Sequence, residues 1–267
     1  MIAGWDCHAH VFGPYERFPL SAERSYTPPD APLEAYLAML DRLALARGVL
    51  VHPSAYGDDH SLLRDVLAAE ARLRGVIVTR NSTVSALAEL RRNGVRGARF
   101  SHRSGPGTNF AGSASFADLL GMKKVLADAG MHAELWTDCK ALPGIAAELR
   151  HFPFPTVIDH MGGFDYQAGT SDEGFRALLS LLESGHVWVK LCSYRNVLRA
   201  PSIDLAKPFH DLMLAANPGQ LVWGSDWPHL NVKPAPDTVQ LLQTFKEWTP
   251  EALVPAILVD NPERLYH

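Results

Sequence analysis

Eight short apolar runs, each followed by a longer amphipathic segment, constrain this chain more than any single motif does. The runs fall near residues 3–10, 48–52, 75–78, 95–100, 132–136, 156–160, 187–191 and 220–224. Stretches such as "TVIDH", "VWVKL" and "QLVWG" are nearly continuous in apolar residues, as strands buried on both faces require. Between them lie helical patterns: "LEAYLAMLDRLALA", "SLLRDVLAAEARL", "STVSALAELRRN", "FADLLGMKKVLADAG", "ALPGIAAELRHF", "GFRALLSLLESG", "DLAKPFHDLMLAANPG" and "DTVQLLQTFKEW". Several stop at Gly or Asn-Pro-Gly. Eight strand–helix units in 267 residues predict an α/β protein, a (β/α)8 TIM barrel forming one domain over residues 1–267. A doubly wound open sheet competes, but no Gly-x-Gly-x-x-Gly follows any strand. The polar loops "GDDHSLL" and "SGPGTNFAGS" fall on the exit side of strands two and four, where barrel active sites lie.

Composition narrows the partners. The formal net charge of −4 supplies no basic field for nucleic acid. Cys7, Cys139 and Cys192 are too far apart for a Cys-x-x-Cys pair, which points to a reducing compartment rather than a disulfide framework. No leader pattern opens the sequence and no apolar stretch approaches a membrane span, so a cytoplasmic location is expected. No stripe of exposed apolar residues stands out, and a homo-oligomer is left open.

The chemistry-bearing residues gather at the strand ends. "DCHAHVFGP" ends strand one. Side chains alternate along a strand, so His8 and His10 share a face, with Cys7 and Ala9 on the other. Strand four ends in "GARFSHR", with Arg99 and Arg103. Strand six ends in "IDHMGG", with Asp159 and His160. Strand seven ends in "VKLCSYRN", with Arg195, and strand eight in "WGSDWPH", with Asp226 and His229. Polar groups at so many strand ends are costly in a packed core and read as a site.

The set "DCHAHVFGP", "IDHMGG", "WGSDWPH" and "DNPERLY" resembles the amidohydrolase superfamily, and within it the 2-pyrone-4,6-dicarboxylate hydrolase and sugar-lactonase branch. The resemblance runs from Asp6 to Tyr266. It implies a hydrolase that opens a small carboxylated lactone. In that reading Asp226 is the general base for water. His8, His10 and His160 polarise the carbonyl, while Arg99, Arg103, Arg195, Tyr26 and His229 surround the substrate. A metal-dependent decarboxylase of aromatic acids and a lactone isomerase are the alternatives. Two-metal members carry a bridging lysine or glutamate on strand four and a histidine on strand five. Here Arg99 stands on strand four, and His132 lies at the far end of strand five. No cofactor is therefore favoured, and one divalent ion, zinc or manganese, on His8, His10, His160 and Asp226 stays the alternative. Gly105 stands where the pyrone-dicarboxylate enzymes have a second arginine, and Trp136 where they have a tyrosine. Both changes favour a lactone with a single acidic group.

Overall fold

The computed structural model describes residues 4–105 and 110–267. Residue 3 of the first predicted strand and residues 106–109 of the "SGPGTNFAGS" loop lie outside the described residues. Eight parallel strands pair in sequence order: β1 (Trp5–Ala9), β2 (Arg47–Val51), β3 (Leu73–Val78), β4 (Val95–His102), β5 (His132–Thr137), β6 (Thr156–Ile158), β7 (Val187–Leu191) and β8 (Leu221–Trp223). Helices α1 (Leu33–Arg42), α2 (Ser61–Ala69), α3 (Val84–Arg92), α4 (Phe116–Asp128), α5 (Ala146–Leu149), α6 (Glu173–Glu183), α7 (Lys207–Ala216) and α8 (Thr238–Trp248) follow the strands in turn, and α9 (Asn261–Tyr266) ends the chain. This is a (β/α)8 barrel. Several helix starts carry the expected caps: Thr83, Ser115 in a capping box with Asp118, Asp172 and Asp237.

Alternation sorts the strand residues into two apolar layers. Leu50, Ile77, Ala98, Phe100, Leu135, Ile158 and Val189 pack outward against the helices. Trp5, Cys7, Val49, Val51, Val76, Val157, Trp188 and Val222 fill the barrel interior, and Tyr266 of α9 plugs its lower end against Trp5. Cys7 thus belongs with the interior residues, contrary to simple alternation. The pairing of β1 with β2 shifts register between Asp6 and Ala9, and this irregularity resets the alternation so that Cys7 and His8 both face inward. Strand six is two residues shorter than expected, because His160 and Met161 adopt positive φ and turn the chain away from the sheet. Among the described residues no helix is long and apolar enough to cross a membrane.

Candidate active site

The barrel closes through one buried aspartate. Asp6 Oδ1 accepts from the Ser225 amide at 2.7 Å and the His8 amide at 3.3 Å; its Oδ2 accepts from the Ser225 hydroxyl at 2.6 Å and the Tyr36 hydroxyl at 3.2 Å. Main-chain bonds then lace the two strand ends together, from the Asp226 amide to the His8 carbonyl and from the His10 amide to the Trp227 carbonyl, both at 2.8 Å. This seam sets Asp226 beside His8 and His10.

Three imidazoles converge on one carboxylate oxygen. His8 Nε2 and His10 Nε2 each lie 3.7 Å from Asp226 Oδ1, and His160 Nε2 lies 3.6 Å away. All four residues are buried. Asp226 at φ 59° and His160 at φ 48° both hold left-handed backbone, uncommon for non-glycine residues though more accessible to Asp and His than to most. The other oxygen, Oδ2, accepts from the Tyr194 hydroxyl at 2.8 Å and from Arg195 Nε. Burial alone would raise the Asp226 pKa, but His160, Arg195 and His8 outweigh it and hold the carboxyl well below the usual range.

Hydrogen-bond direction assigns the protons. His10 Nδ1 lies 2.8 Å from the Val51 carbonyl, which can only accept, so Nδ1 carries the proton. Burial lowers the His10 pKa to about 4, leaving a neutral ring whose Nε2 lone pair faces Asp226. Burial, followed by the charge of Lys190, lowers His8 to about 3. The His8 Nδ1 side faces two groups of opposite demand, Lys190 Nζ at 3.1 Å and Asp159 Oδ1 at 3.3 Å.

Beneath these imidazoles lies a charged layer whose lysine the sequence reading missed. Lys190, wholly buried on β7, contacts Glu134 Oε2 at 2.6 Å and Asp159 Oδ1 at 3.3 Å. Arg99 Nε donates to Asp159 Oδ2 at 2.8 Å. Glu134 Oε1 accepts from the Tyr266 hydroxyl at 3.1 Å and faces His132 Nε2 at 3.4 Å. Burial opposes the charged form of Lys190, yet Glu134 and Asp159 outweigh it and the net shift is upward. The signal was present in "VWVKL": alternation places its lysine with Trp188, on the inward face.

Above the imidazoles opens a cavity of about 390 Å³. His10, His160 and Asp226 form part of its lining, with Tyr26, Arg99, Arg103, Trp136 and Arg195 around them. Arg99 and Arg103 flank the Trp136 ring, their guanidinium carbons 5.3 and 4.6 Å from its centroid. Two expected residues are placed differently. His8 is sealed beneath the lining at 0% exposure. His229 does not line the cavity: its Nδ1 meets the Tyr194 hydroxyl at 3.1 Å and its Nε2 the Thr238 hydroxyl at 2.9 Å, behind Asp226. Arg195 lines the cavity but is engaged, Nε on Asp226 and Nη1 on the Leu230 carbonyl at 2.8 Å.

A family model described as amidohydrolase matches residues 5–267. The chain belongs to the amidohydrolase family. This amidohydrolase is 37% identical over 270 residues to 4-sulfomuconolactone hydrolase of Rhizobium radiobacter, covering 98% of this chain and 89% of the relative. It is 33% identical over 276 residues to 2-pyrone-4,6-dicarboxylate hydrolase of Comamonas testosteroni, with the same coverage of 98% and 89%. A solved apo structure from Agrobacterium tumefaciens shares the fold at TM-score 0.88 and 23% identity, over 100% of this chain and 96% of that one. An amidohydrolase structure from Burkholderia multivorans with zinc bound shares it at TM-score 0.74 and 21% identity, over 98% of each chain.

The donor set of this amidohydrolase fits one divalent ion in part. His8, His10 and Asp226 offer ligand atoms within 4.8 Å of one another, and His8 Nε2 has no hydrogen-bond partner. The bare Nε2 of His10 and the ionised Asp226 are suited to ligation. His8 is suited only when its proton sits on Nδ1, toward Asp159.

Proposed function

We propose that this amidohydrolase opens a small lactone bearing a carboxylate or sulfonate, with Asp226 as the general base for the attacking water. The observation that carries the reading is the pair of acceptors at the cavity floor, His10 Nε2 and Asp226 Oδ1, 3.7 Å apart. Two acceptors at this spacing can take both protons of one water molecule, while His8 Nε2, buried below them, faces Asp226 Oδ1. As the water oxygen bonds to the lactone carbonyl carbon, one of its protons passes to Asp226 Oδ1. The carbonyl oxygen becomes an oxyanion facing the cavity side of His160. Collapse breaks the ring C–O bond, and the proton held by Asp226 passes to the leaving oxygen, giving the open acid. The low pKa of Asp226 suits it to release that proton again.

The roles divide more sharply than the resemblance implies. His10 has no proton at Nε2 and accepts rather than polarises. His8, sealed below, acts on Asp226. Carbonyl polarisation falls to His160. Arg195 orients Asp226, so the anionic substituent falls to Arg99 and Arg103, whose planar forks suit carboxylate or sulfonate. The relatives' names fit this class, since both substrates are lactones with acidic groups. A divalent ion, when bound by His8, His10 and Asp226, would supply Lewis-acid polarisation and a more acidic water. The test is hydrolysis by purified protein of a panel containing 4-sulfomuconolactone, muconolactone-type acids, pyrone dicarboxylates and uncharged lactones of matching size. Turnover of at least one anionic lactone over its uncharged counterpart is expected; no ring opening in the panel overturns the reading.

A further inference from the structure

Unlike His10, whose Nδ1 is fixed by the Val51 carbonyl, His8 meets no carbonyl through its ring among the described residues. Its Nδ1 is contested: Lys190 Nζ approaches to 3.1 Å and Asp159 Oδ1 to 3.3 Å. The two contacts demand opposite tautomers. An ammonium has donors only, so a hydrogen bond from Lys190 requires a bare Nδ1 and leaves the proton on Nε2. A carboxylate has acceptors only, so a bond to Asp159 requires Nδ1–H and leaves Nε2 with a lone pair. The ammonium itself is locked in place by Glu134 Oε2 at 2.6 Å, and Asp159 is drawn the other way by Arg99 Nε at 2.8 Å. Lys190 holds the shorter contact and is the better fixed competitor.

We infer that Lys190 is a positioning residue that decides how His8 serves the site. By donating to Nδ1 it sets His8 as the Nε2–H tautomer, a proton donor aimed at Asp226 Oδ1, and withholds it as a metal ligand. Without Lys190 the Nδ1 proton turns to Asp159, the carboxylate–histidine pairing that orients metal-ligating imidazoles. His8, His10 and Asp226 then form a cation site. The buried layer is neutral as built, Lys190 and Arg99 balancing Glu134 and Asp159. The informative variant is therefore Lys190→Met combined with Glu134→Gln, which removes the donor and keeps the charges balanced.

The inference rests on the lactone-hydrolase reading only for its activity arm. In metal-stripped wild-type protein, long-range proton–nitrogen spectra of the imidazoles, with His8 assigned by signal loss in His8→Gln, are expected to show Nε2–H for His8 and Nδ1–H for His10. Nδ1–H on His8 overturns the inference, and this arm needs no variant to fold beyond the assignment control. Zinc titration by calorimetry is expected to show about tenfold or greater tightening in the double variant, near 1.4 kcal/mol, and loss of that gain when His8→Gln is added. Equal zinc affinity in wild type and the double variant overturns it. With a turned-over lactone, kcat of the chelated double variant is expected to fall about a hundredfold, the scale of one lost active-site donor, with KM little changed. An unchanged kcat overturns the positioning role, whereas a wild type that opens no lactone removes the activity reading and leaves the spectral and zinc results to decide.

Discussion

Tyr194→Phe isolates the scaffold behind Asp226, the proposed general base. The Tyr194 hydroxyl donates to Asp226 Oδ2 at 2.8 Å and meets His229 Nδ1 at 3.1 Å; His229 Nε2 meets Thr238 Oγ1 at 2.9 Å. Because the ionised carboxylate only accepts, the chain has one direction: Thr238 O–H to His229 Nε2, His229 Nδ1–H to Tyr194, Tyr194 O–H to Asp226. Removing one oxygen deletes a charge-assisted bond, worth about 1.5–3 kcal/mol, and strands a buried Nδ1–H, worth about 1–3 kcal/mol. Tyr194 is 5% exposed, so solvent offers little replacement. A loss near 3 kcal/mol lowers the melting temperature by roughly 6–12 °C for a chain of this size. The surviving folded protein keeps Arg195 on Asp226, so KM is expected to hold while kcat falls several-fold, as the carboxylate samples other rotamers. Scanning calorimetry and initial rates below the transition measure both. A melting temperature within about 2 °C of wild type, with kcat unchanged, refutes the directed chain.

Three further outcomes follow from the same geometry. Burial lowers His8 and His52 to about 3, and His10, His210 and His229 to about 4, from 6.5. The unfolded chain then takes up protons before the fold does, so their stability contribution is full above pH 6.5 and is lost as pH falls toward 4. Asp6, raised to about 6 by burial, works in the opposite sense below that pH and offsets only part; thermal melts at pH 7.5, 6 and 5 should therefore fall steadily, and a flat series contradicts this. Gly224→Ala sets a Cβ 2.7 Å from His8 Cβ and 3.1 Å from its amide nitrogen. Overpacking of this kind costs about 1–3 kcal/mol, and because it pushes β1 from β8 it is expected to reduce kcat as well, whereas retention of both stability and rate argues against the tight seam. Arg103→Met removes the proposed anion contact and is expected to raise KM for an anionic lactone about tenfold with kcat held; an effect on kcat alone contradicts its assignment.

The barrel was legible because parallel strands buried on both faces leave unbroken apolar runs, and every one of the eight runs became a strand. "ALPGIAAELRHF" read as one helix, yet Pro143 and Gly144 fall in a short 3₁₀ turn and only Ala146–Leu149 forms α-helix. The end of the chain was read only as the motif "DNPERLY"; its role as the barrel plug depends on a long-range contact of Tyr266 with Glu134 that no local pattern carries. The strand-end residues were legible for the same reason the strands were. The division of labour proposed for them was not, because it depends on which nitrogen meets a carbonyl and which meets an ammonium. His229 looked like a rim residue by position, but the backbone turn at φ 65° sets it behind Asp226 rather than in the cavity. Lys190 was hidden within an apolar run, where one charged residue among five is easily read as a strand edge.

The proposed hydrolysis turns on Asp226 taking the proton of the attacking water. Asp226→Asn keeps the side chain's size and removes its basicity. The direct measurement is kcat of the metal-stripped Asp226→Asn protein on the best anionic lactone of the panel, beside the wild type, with folding verified by its melting transition. A folded variant with kcat lowered at least about a hundredfold and KM little changed is the predicted result. Turnover at the wild-type rate contradicts the account.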